Sequence, residues 1–419
     1  MMNKVNEENV ASAPSCKNLD RPQRHRTVAY VNVARALRDF GDGFVAVLLP
    51  VYLDALGLGA LEIGIVATLA LLGSALMTLA IGIFGAHLDR RRLLIGASGL
   101  MLATGLAFAA SNTYAIILVI AFAGTINPSA GSVSIFVPLE HAVLSGSVAD
   151  RERTVMFARY SLIGALAAAA GALAAASPDV LATMGVSYLS SLKAMFVAYA
   201  TLGLLGGFLY ARIPIDAPSV HEKPVVALGP SKGIVYKMAG LFCIDAFAGG
   251  FAVQSLVALW LFSKFGLSLS AAAFFFFWSG VLAAFSFPVA AWLSRRIGLI
   301  NTMVYTHIPS SICLILAAVA PNIEVALALL LARAALSQMD VPTRSSYVMA
   351  VVTPPERSAA ASFTSVPRSL AAAASPAIAG ALFAAGFQAW PLVICGVLKI
   401  GYDLALLWAF RRIKPPEEL

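Results

Sequence analysis

Twelve apolar runs of about twenty residues or more follow one another along this 419-residue chain: 28 to 56, 61 to 84, 93 to 111, 114 to 139, 154 to 176, 188 to 211, 235 to 263, 268 to 293, 299 to 320, 323 to 350, 358 to 385 and 388 to 410. About twenty residues at 1.5 Å rise cross a ~30 Å hydrocarbon core, so each run is long enough to traverse a bilayer. Backbone polar groups facing lipid must be bonded internally, which leaves helices or closed barrels of short alternating strands. These runs are continuous rather than alternating, so an all-α membrane protein with twelve transmembrane helices is expected. Composition agrees: only 12% of residues are charged, against about 25% in a soluble domain.

The runs form two sets of six. The stretch from Arg38 through Gly43-Phe44 to Leu88-Asp89-Arg90-Arg91 is echoed about 205 residues later, from Asp245 through Gly250-Phe251 to Leu293-Ser294-Arg295-Arg296. Glu152-Arg153-Thr154 returns as Glu356-Arg357-Ser358. A doubled six-helix unit is a transporter architecture. The expected organisation is a polar cytoplasmic tail (1–27), a six-helix bundle (28–211), a cytoplasmic linker (212–234), a second six-helix bundle (235–412) and a short cytoplasmic tail (413–419), the bundles related by pseudo-two-fold symmetry. Pro214, Pro218, Pro224 and Pro230 mark the linker. Residues 1–27 contain no apolar core after a basic start, so no cleavable signal peptide is expected.

Charge fixes the expected orientation. Twenty lysines and arginines, among them Lys4, Arg21, Arg90, Arg151, Lys232, Arg295, Arg357 and Lys414, fall in the tails and alternate connections, against Lys264 alone on the opposite side. The positive-inside rule then puts both termini and the linker in the cytoplasm, as for a multi-pass protein of the bacterial inner (plasma) membrane. The net charge of +8 is accounted for by topology and by contact with anionic membrane lipid, with no nucleic-acid partner implied.

Other chemistries find no ligand set. Cys16, Cys243, Cys313 and Cys395 show no C-x-x-C spacing, and the five histidines form no H-x-x-x-H pair, so no metal and no cofactor is expected. Without a G-x-x-x-x-G-K-[ST] loop, energy comes from a gradient or a partner rather than from P-loop ATP hydrolysis. A helical membrane enzyme or receptor is the remote alternative, and the scattered histidines argue against it.

The informative residues are charges inside apolar runs. Each costs ~2.5 to 3.5 kcal/mol at a helix centre on translocon scales, so it needs a partner or a water-filled cavity. In the first run Arg35, Arg38 or Asp39, and Asp42 recur at helical spacing and share a face. Asp39 and Asp42 would repel if both ionised, so one is a candidate to carry a coupling proton. The competing reading is a structural ladder, Arg35 with Asp39 and Arg38 with Asp42. In the tenth run Arg333, Ser337, Asp340, Arg344 and Tyr347 make a polar stripe. Asp340 and Arg344 are expected to pair, leaving Arg333 to meet an anion; a polar helix-packing zipper is the alternative.

Asp245 in the seventh run precedes Gly249-Gly250 and is either a coupling carboxylate or the partner of a base such as Arg368. In the fourth run Thr125, Ser129 and Ser132 flank Asn127-Pro128, where a proline frees a carbonyl and lets a helix bend. Lys399 and Asp403, one turn apart in the last run, are expected to neutralise each other.

Two six-run halves, a basic linker and the loop Gly85-Ala-His-Leu-Asp-Arg-Arg-Arg92 together resemble the major facilitator superfamily (MFS), from about residue 28 to 412. The loop is similar to the family motif G-x-L-A-D-R-x-G-R-[RK] at Gly85, Asp89 and Arg90; it departs at Arg92, where the second glycine belongs, and at His87. The resemblance implies that Asp89, Arg90 and Gly85 form a gating loop and that runs one, four, seven and ten line a central cavity. The antiporter signature G-x-x-x-G-P-x-x-G-G is missing from run five, which reads Gly164-Ala-Leu-Ala-Ala-Ala-Ala-Gly171.

The expected function is secondary active transport of a small organic solute by alternating access, as proton-coupled export by a monomer. Proton-linked uptake or facilitated diffusion would use the same residues. Asp39, Asp42, Asp245 and Asp340 are the proton-coupling candidates. Arg38, Thr125, Asn127, Ser129, Arg333, Ser337, Arg344 and Tyr347 are the substrate-cavity candidates. Phe274 to Trp278 supply either an aromatic wall or a lipid-facing surface.

Overall fold

Residues 21–84, 88–129, 134–147, 153–214, 228–353 and 356–411 are described by a computed structural model. Gly85, Ser132 and Glu152 lie outside them. Among the described residues the chain is helical throughout: α1 (Arg21–Ala55), α2 (Ala60–Phe84), α3 (Arg90–Ala110), α4 (Tyr114–Ala123), α5 (Phe136–Ser147), α6 (Arg153–Ala174), α7 (Ser177–Thr183), α8 (Tyr188–Ala211), α9 (Lys232–Gly250), α10 (Gln254–Phe265), α11 (Leu269–Ile297), α12 (Leu299–Ala318), α13 (Ile323–Ser337), α14 (Asp340–Val351), α15 (Arg357–Ala384) and α16 (Trp390–Phe410).

The all-α fold is as expected, and the helices observed are consistent with twelve spans, some of them interrupted. Ten segments among the described residues are long and apolar enough to cross a membrane. The first run is one helix of 35 residues, but its charges keep its mean hydropathy low. The fourth run is divided into α4 and α5 around Pro128, and the seventh into α9 and α10 after Gly249-Gly250. The tenth divides at Gln338 and Met339, because Pro342 in the first turn of α14 has no N–H to continue the ladder onto the Gln338 carbonyl.

In the first half of the chain α1 packs on α6 and α8, and α3 packs on α8; in the second, α9 packs on α15 and α16, and α12 on α13 and α16. Across the halves α2 lies along α15, α6 along α11, and α1 touches α10. Small residues permit the α2–α15 approach. A Cβ on Gly64 would fall 2.6 Å from the Pro376 carbonyl oxygen, and one on Gly380 2.5 Å from that of Ala60.

Hydrogen bonds tie the halves at several levels. The Ala377 N–H donates to Thr68 Oγ1 at 2.9 Å. Asp179 Oδ2 accepts from the Ser270 N–H and hydroxyl at 2.9 and 2.5 Å. The Ser255 N–H donates to the Pro128 carbonyl at 3.1 Å, so the break in run four meets the break in run seven. The Thr68, Asp179 and Ser270 contacts lie in the parts of their helices remote from the basic connections.

Candidate functional site

The charges of α1 are gathered inside the first half. Arg35 Nε stands 2.5 Å from Asp39 Oδ2, and Arg38 Nε 3.3 Å from Asp39 Oδ1. Arg38 Nη1 stands 2.9 Å from Glu140 Oε1 on α5. Glu140 is fully buried and also accepts from the hydroxyls of Tyr160 on α6 and Tyr210 on α8. Arg35 donates to the Tyr160 hydroxyl at 2.9 Å. Both guanidiniums lie over aromatic faces, Arg35 over Tyr160 and Arg38 over Phe136. Gly164 on α6 makes room for this ladder, since a Cβ there would strike the Arg35 and Asp39 side chains.

Asp42 is set apart from that ladder. It is 2% exposed, and among the described residues no lysine or arginine comes within ion-pair distance. Its Oδ1 lies 3.2 Å from the Tyr199 hydroxyl, which is also 3.2 Å from Thr125 Oγ1 and from the Thr125 carbonyl. The expected ladder is therefore half right: Arg35 meets Asp39, whereas Arg38 turns to Glu140 instead of Asp42. Asp42 thus keeps hydroxyl company, while Asp39 sits between two guanidiniums.

The second half holds a continuous chain of charges from four helices. Arg344 on α14 donates to Asp245 Oδ2 on α9 at 2.9 Å, and its Nη2 lies 3.0 Å from Asp340 Oδ2. Lys399 on α16 donates to Asp245 Oδ1 at 2.7 Å and lies 3.2 Å from His307 Nε2 on α12. His307 Nδ1 is 3.0 Å from both carboxylate oxygens of Asp403. Since Lys399 can only donate, Nε2 is the acceptor and Nδ1 carries the hydrogen facing Asp403.

One expectation is corrected here. Lys399 and Asp403 do not neutralise each other; they turn to Asp245 and His307, because i,i+4 neighbours on one helix were offered closer partners on α9 and α12. The alternative reading of Asp245 as the interhelical partner of a base is found, with Arg344 and Lys399 as the bases in place of Arg368. The expected pairing of Asp340 with Arg344 is found.

The remaining candidates are spread more widely. The helix break at Gln338 divides the polar stripe, and the ionisable neighbours of Arg333 are the thiols of Cys395 and Cys313. Ser337 ends α13. Tyr347 is buried, with its ring edge-on to Phe410 at 6.0 Å. Asn127 is buried and its Oδ1 accepts from the Ser129 N–H at 2.9 Å, closing the turn between α4 and α5. Asp89 caps α3 by accepting from the Arg91 N–H at 3.0 Å, and the exposed Arg92 lies 3.8 Å from its carboxylate. Arg90 begins α3. Phe274 and Trp278 are exposed on α11.

Glu140 and His307 are site residues that the sequence reading passed over. The internal repeat signals Glu140. It precedes Arg344 by 204 residues, the separation between Glu152-Arg153-Thr154 and Glu356-Arg357-Ser358. Arg38 and Asp245, like Gly43-Phe44 and Gly250-Phe251, are 207 apart. His307 carries no such signal in the sequence.

Two groups of membrane-crossing helices, each bonded internally through buried ions and joined along α2–α15 and α6–α11, define a multi-pass transporter. The model of the Major Facilitator Superfamily matches residues 31–337, and the chain belongs to that family. It is 23% identical over 411 residues to an uncharacterized membrane protein of Saccharomyces cerevisiae, covering 89% of this chain and 92% of the relative. A bacterial homolog of the human lysosomal transporter Spinster, solved in an inward-facing and occupied conformation, superposes with a TM-score of 0.74 at 16% identity, over 94% of this chain and 98% of that one. The nucleoside transporter NupG gives 0.67 at 15%, over 92% and 98%. At such identities the structural likenesses establish the fold alone. A transporter of this family handles a small-molecule substrate.

Proposed function

We propose that the chain is a monomeric secondary transporter of the bacterial inner membrane that exports a small organic solute in exchange for protons, with Asp42 as the proton carrier. Two six-helix bundles, 28–211 and 235–412, rock about a midplane site while both termini stay in the cytoplasm. The observation that carries this reading is the environment of Asp42: buried, without a cationic partner among the described residues, and held by Tyr199 beside the Thr125 turn. Protonation removes its charge cost and so changes which arrangement of the helices is favoured. Asp39, Asp245 and Asp340 each have a guanidinium or ammonium partner, and those of Asp245 come from two other helices, which suits it to holding helices together.

Contacts between the halves at Thr68–Ala377, Asp179–Ser270 and Gly64–Gly380 support a state closed on the side remote from the basic connections. With those connections in the cytoplasm, this is an inward-facing state. Asp89, Arg90 and Gly85 keep the gating role that the family resemblance gives them.

The test is flux in proteoliposomes with an imposed pH gradient of either sign, using a pool of organic solutes. Export coupling predicts solute movement against the proton gradient in wild type and loss of the pH dependence in Asp42→Asn. Undiminished coupling in that variant removes Asp42 from the role. Cotransport in the direction of the proton gradient would establish uptake in place of export.

A further inference from the structure

Arg368 lies on α15 about three turns from the start of that helix, so it is deep in the membrane. It has no ion pair or hydrogen bond among the described residues, and its Nε is buried without a partner. Its charged surroundings are Arg344, Asp245 and Asp340, with Arg344 the strongest influence. The two carboxylates are already engaged: Asp245 by Arg344 and Lys399, Asp340 by Arg344. Arg344 thus already meets two carboxylates, whereas Arg368, within reach of its charge, meets none.

An unpaired guanidinium at this depth is expensive, and an adjacent like charge raises the cost. A mobile anion removes both penalties at once. Arg344 uses one N–H toward Asp245 and one toward Asp340, and a guanidinium has five, so it retains donors for a second anion. The planar fork of Arg368 fits the two oxygens of a carboxylate or phosphate. Asp403, His307 and Lys399 complete one another at the far end of the chain and do not compete for Arg368.

We propose that Arg368, with Arg344 beside it, is the docking point for an oxyanionic group on the transported solute. The inference rests on the transport reading above and assigns the substrate class: an organic carboxylate or phosphate monoester. Arg344 is the positioning residue, fixed by Asp245 and Asp340, while Arg368 supplies the uncommitted charge. Binding at this point ties α15, the helix that packs against α2 of the other half, to α14.

The test uses the full-length protein in neutral detergent, melted with benzoate, phenyl phosphate or phenyltrimethylammonium at constant ionic strength, and separately with added phosphatidylglycerol. One or both soluble anions are expected to raise Tm saturably while the cation does not, and Arg368→Gln is expected to bind about tenfold more weakly or worse, the loss of a charge-assisted bond. An equal response in R368Q and wild type overturns the assignment. So does loss of the response in Arg333→Gln in its place, or stabilisation by phosphatidylglycerol alone, which would make the site one for a lipid headgroup. If R368Q fails to fold, phenylglyoxal modification of Arg368 in wild type is read by peptide mass spectrometry. Protection by benzoate or phenyl phosphate is expected, and an unchanged rate overturns the site. Anion binding without solute flux in proteoliposomes would remove the transport reading and leave the anion site. Flux of a neutral or cationic solute with no anion response would remove the site and leave transport.

Discussion

Arg38 and Glu140 are joined at 2.9 Å between α1 and α5, and the positions that the internal repeat makes equivalent, Asp245 and Arg344, are joined at 2.9 Å between α9 and α14 with the signs exchanged. Each half therefore clamps the same two helices with one buried ion pair, and the acid and base have traded places. A duplicated fold needs the clamp conserved, not the sign of either end.

Breaking such a pair leaves a buried charge alone. Glu140→Gln removes the carboxylate facing Arg38 and weakens the acceptor shared by Tyr160 and Tyr210, so unfolding in detergent should occur about 3–5 kcal/mol more easily. In a double-mutant cycle with Arg38→Gln, the double variant should cost clearly less than the sum of the singles. Additive losses would show that the two side chains are independent.

Asp39 and Asp42, three residues apart, should differ in kind. Asp39→Asn leaves Arg35 and Arg38 short of a carboxylate and should lower stability by several kcal/mol. Asp42→Asn keeps a hydrogen-bonding group facing Tyr199 and should change stability by about 1 kcal/mol or less. Thermal melting of the two variants side by side decides this, and equal losses would contradict the separation.

The α2–α15 seam should respond to bulk. Gly380→Val adds atoms where even a Cβ would lie 2.5 Å from the Ala60 carbonyl oxygen, so it disfavours the arrangement in which the helices touch. Solute flux should fall about tenfold, corresponding to about 1.4 kcal/mol against that state. Labelling of a cysteine placed at Thr68 should rise in the same variant, and unchanged labelling would mean that the seam does not tighten the closed side.

Glu356, between α14 and α15, lies outside the membrane-crossing segments. Hydroxyls of Ser231 and Thr353 and the Gly229 N–H hold its carboxyl down to about 2, from an ordinary 4.5. A depressed folded value contributes stability that is fully present above the unfolded pKa and is lost as pH falls through the folded one. Stability should therefore decline between about pH 4.5 and pH 2 in wild type, with a smaller decline over that window in Glu356→Gln. Identical pH profiles would show that the contacts do not anchor the start of α9 to this turn.

Much of the fold was legible because bilayer thickness and the ban on unpaired backbone act on every residue of a run. The breaks were less so: a proline announces a freed carbonyl, but whether the helix bends or ends depends on what packs beside it. Asp340 with Arg344 was readable because i,i+4 geometry is local. His307 with Asp403 and Lys399 with Asp245 join residues more than ninety positions apart, a choice made only when three helices assemble. Glu140 sat at the edge of an apolar run, where a charge costs little, and only the repeat hinted that the edge was an interior.

The bond from the Ser255 N–H to the Pro128 carbonyl runs from main chain to main chain. Neither end depends on a side chain, so any residue with an N–H that is small enough for this buried position can stand at 255 without severing it. Relatives can therefore drift there in sequence while inheriting the same joint between the two interrupted helices. A comparison of aligned letters would find that joint invisible, whereas superposed backbones would reveal it.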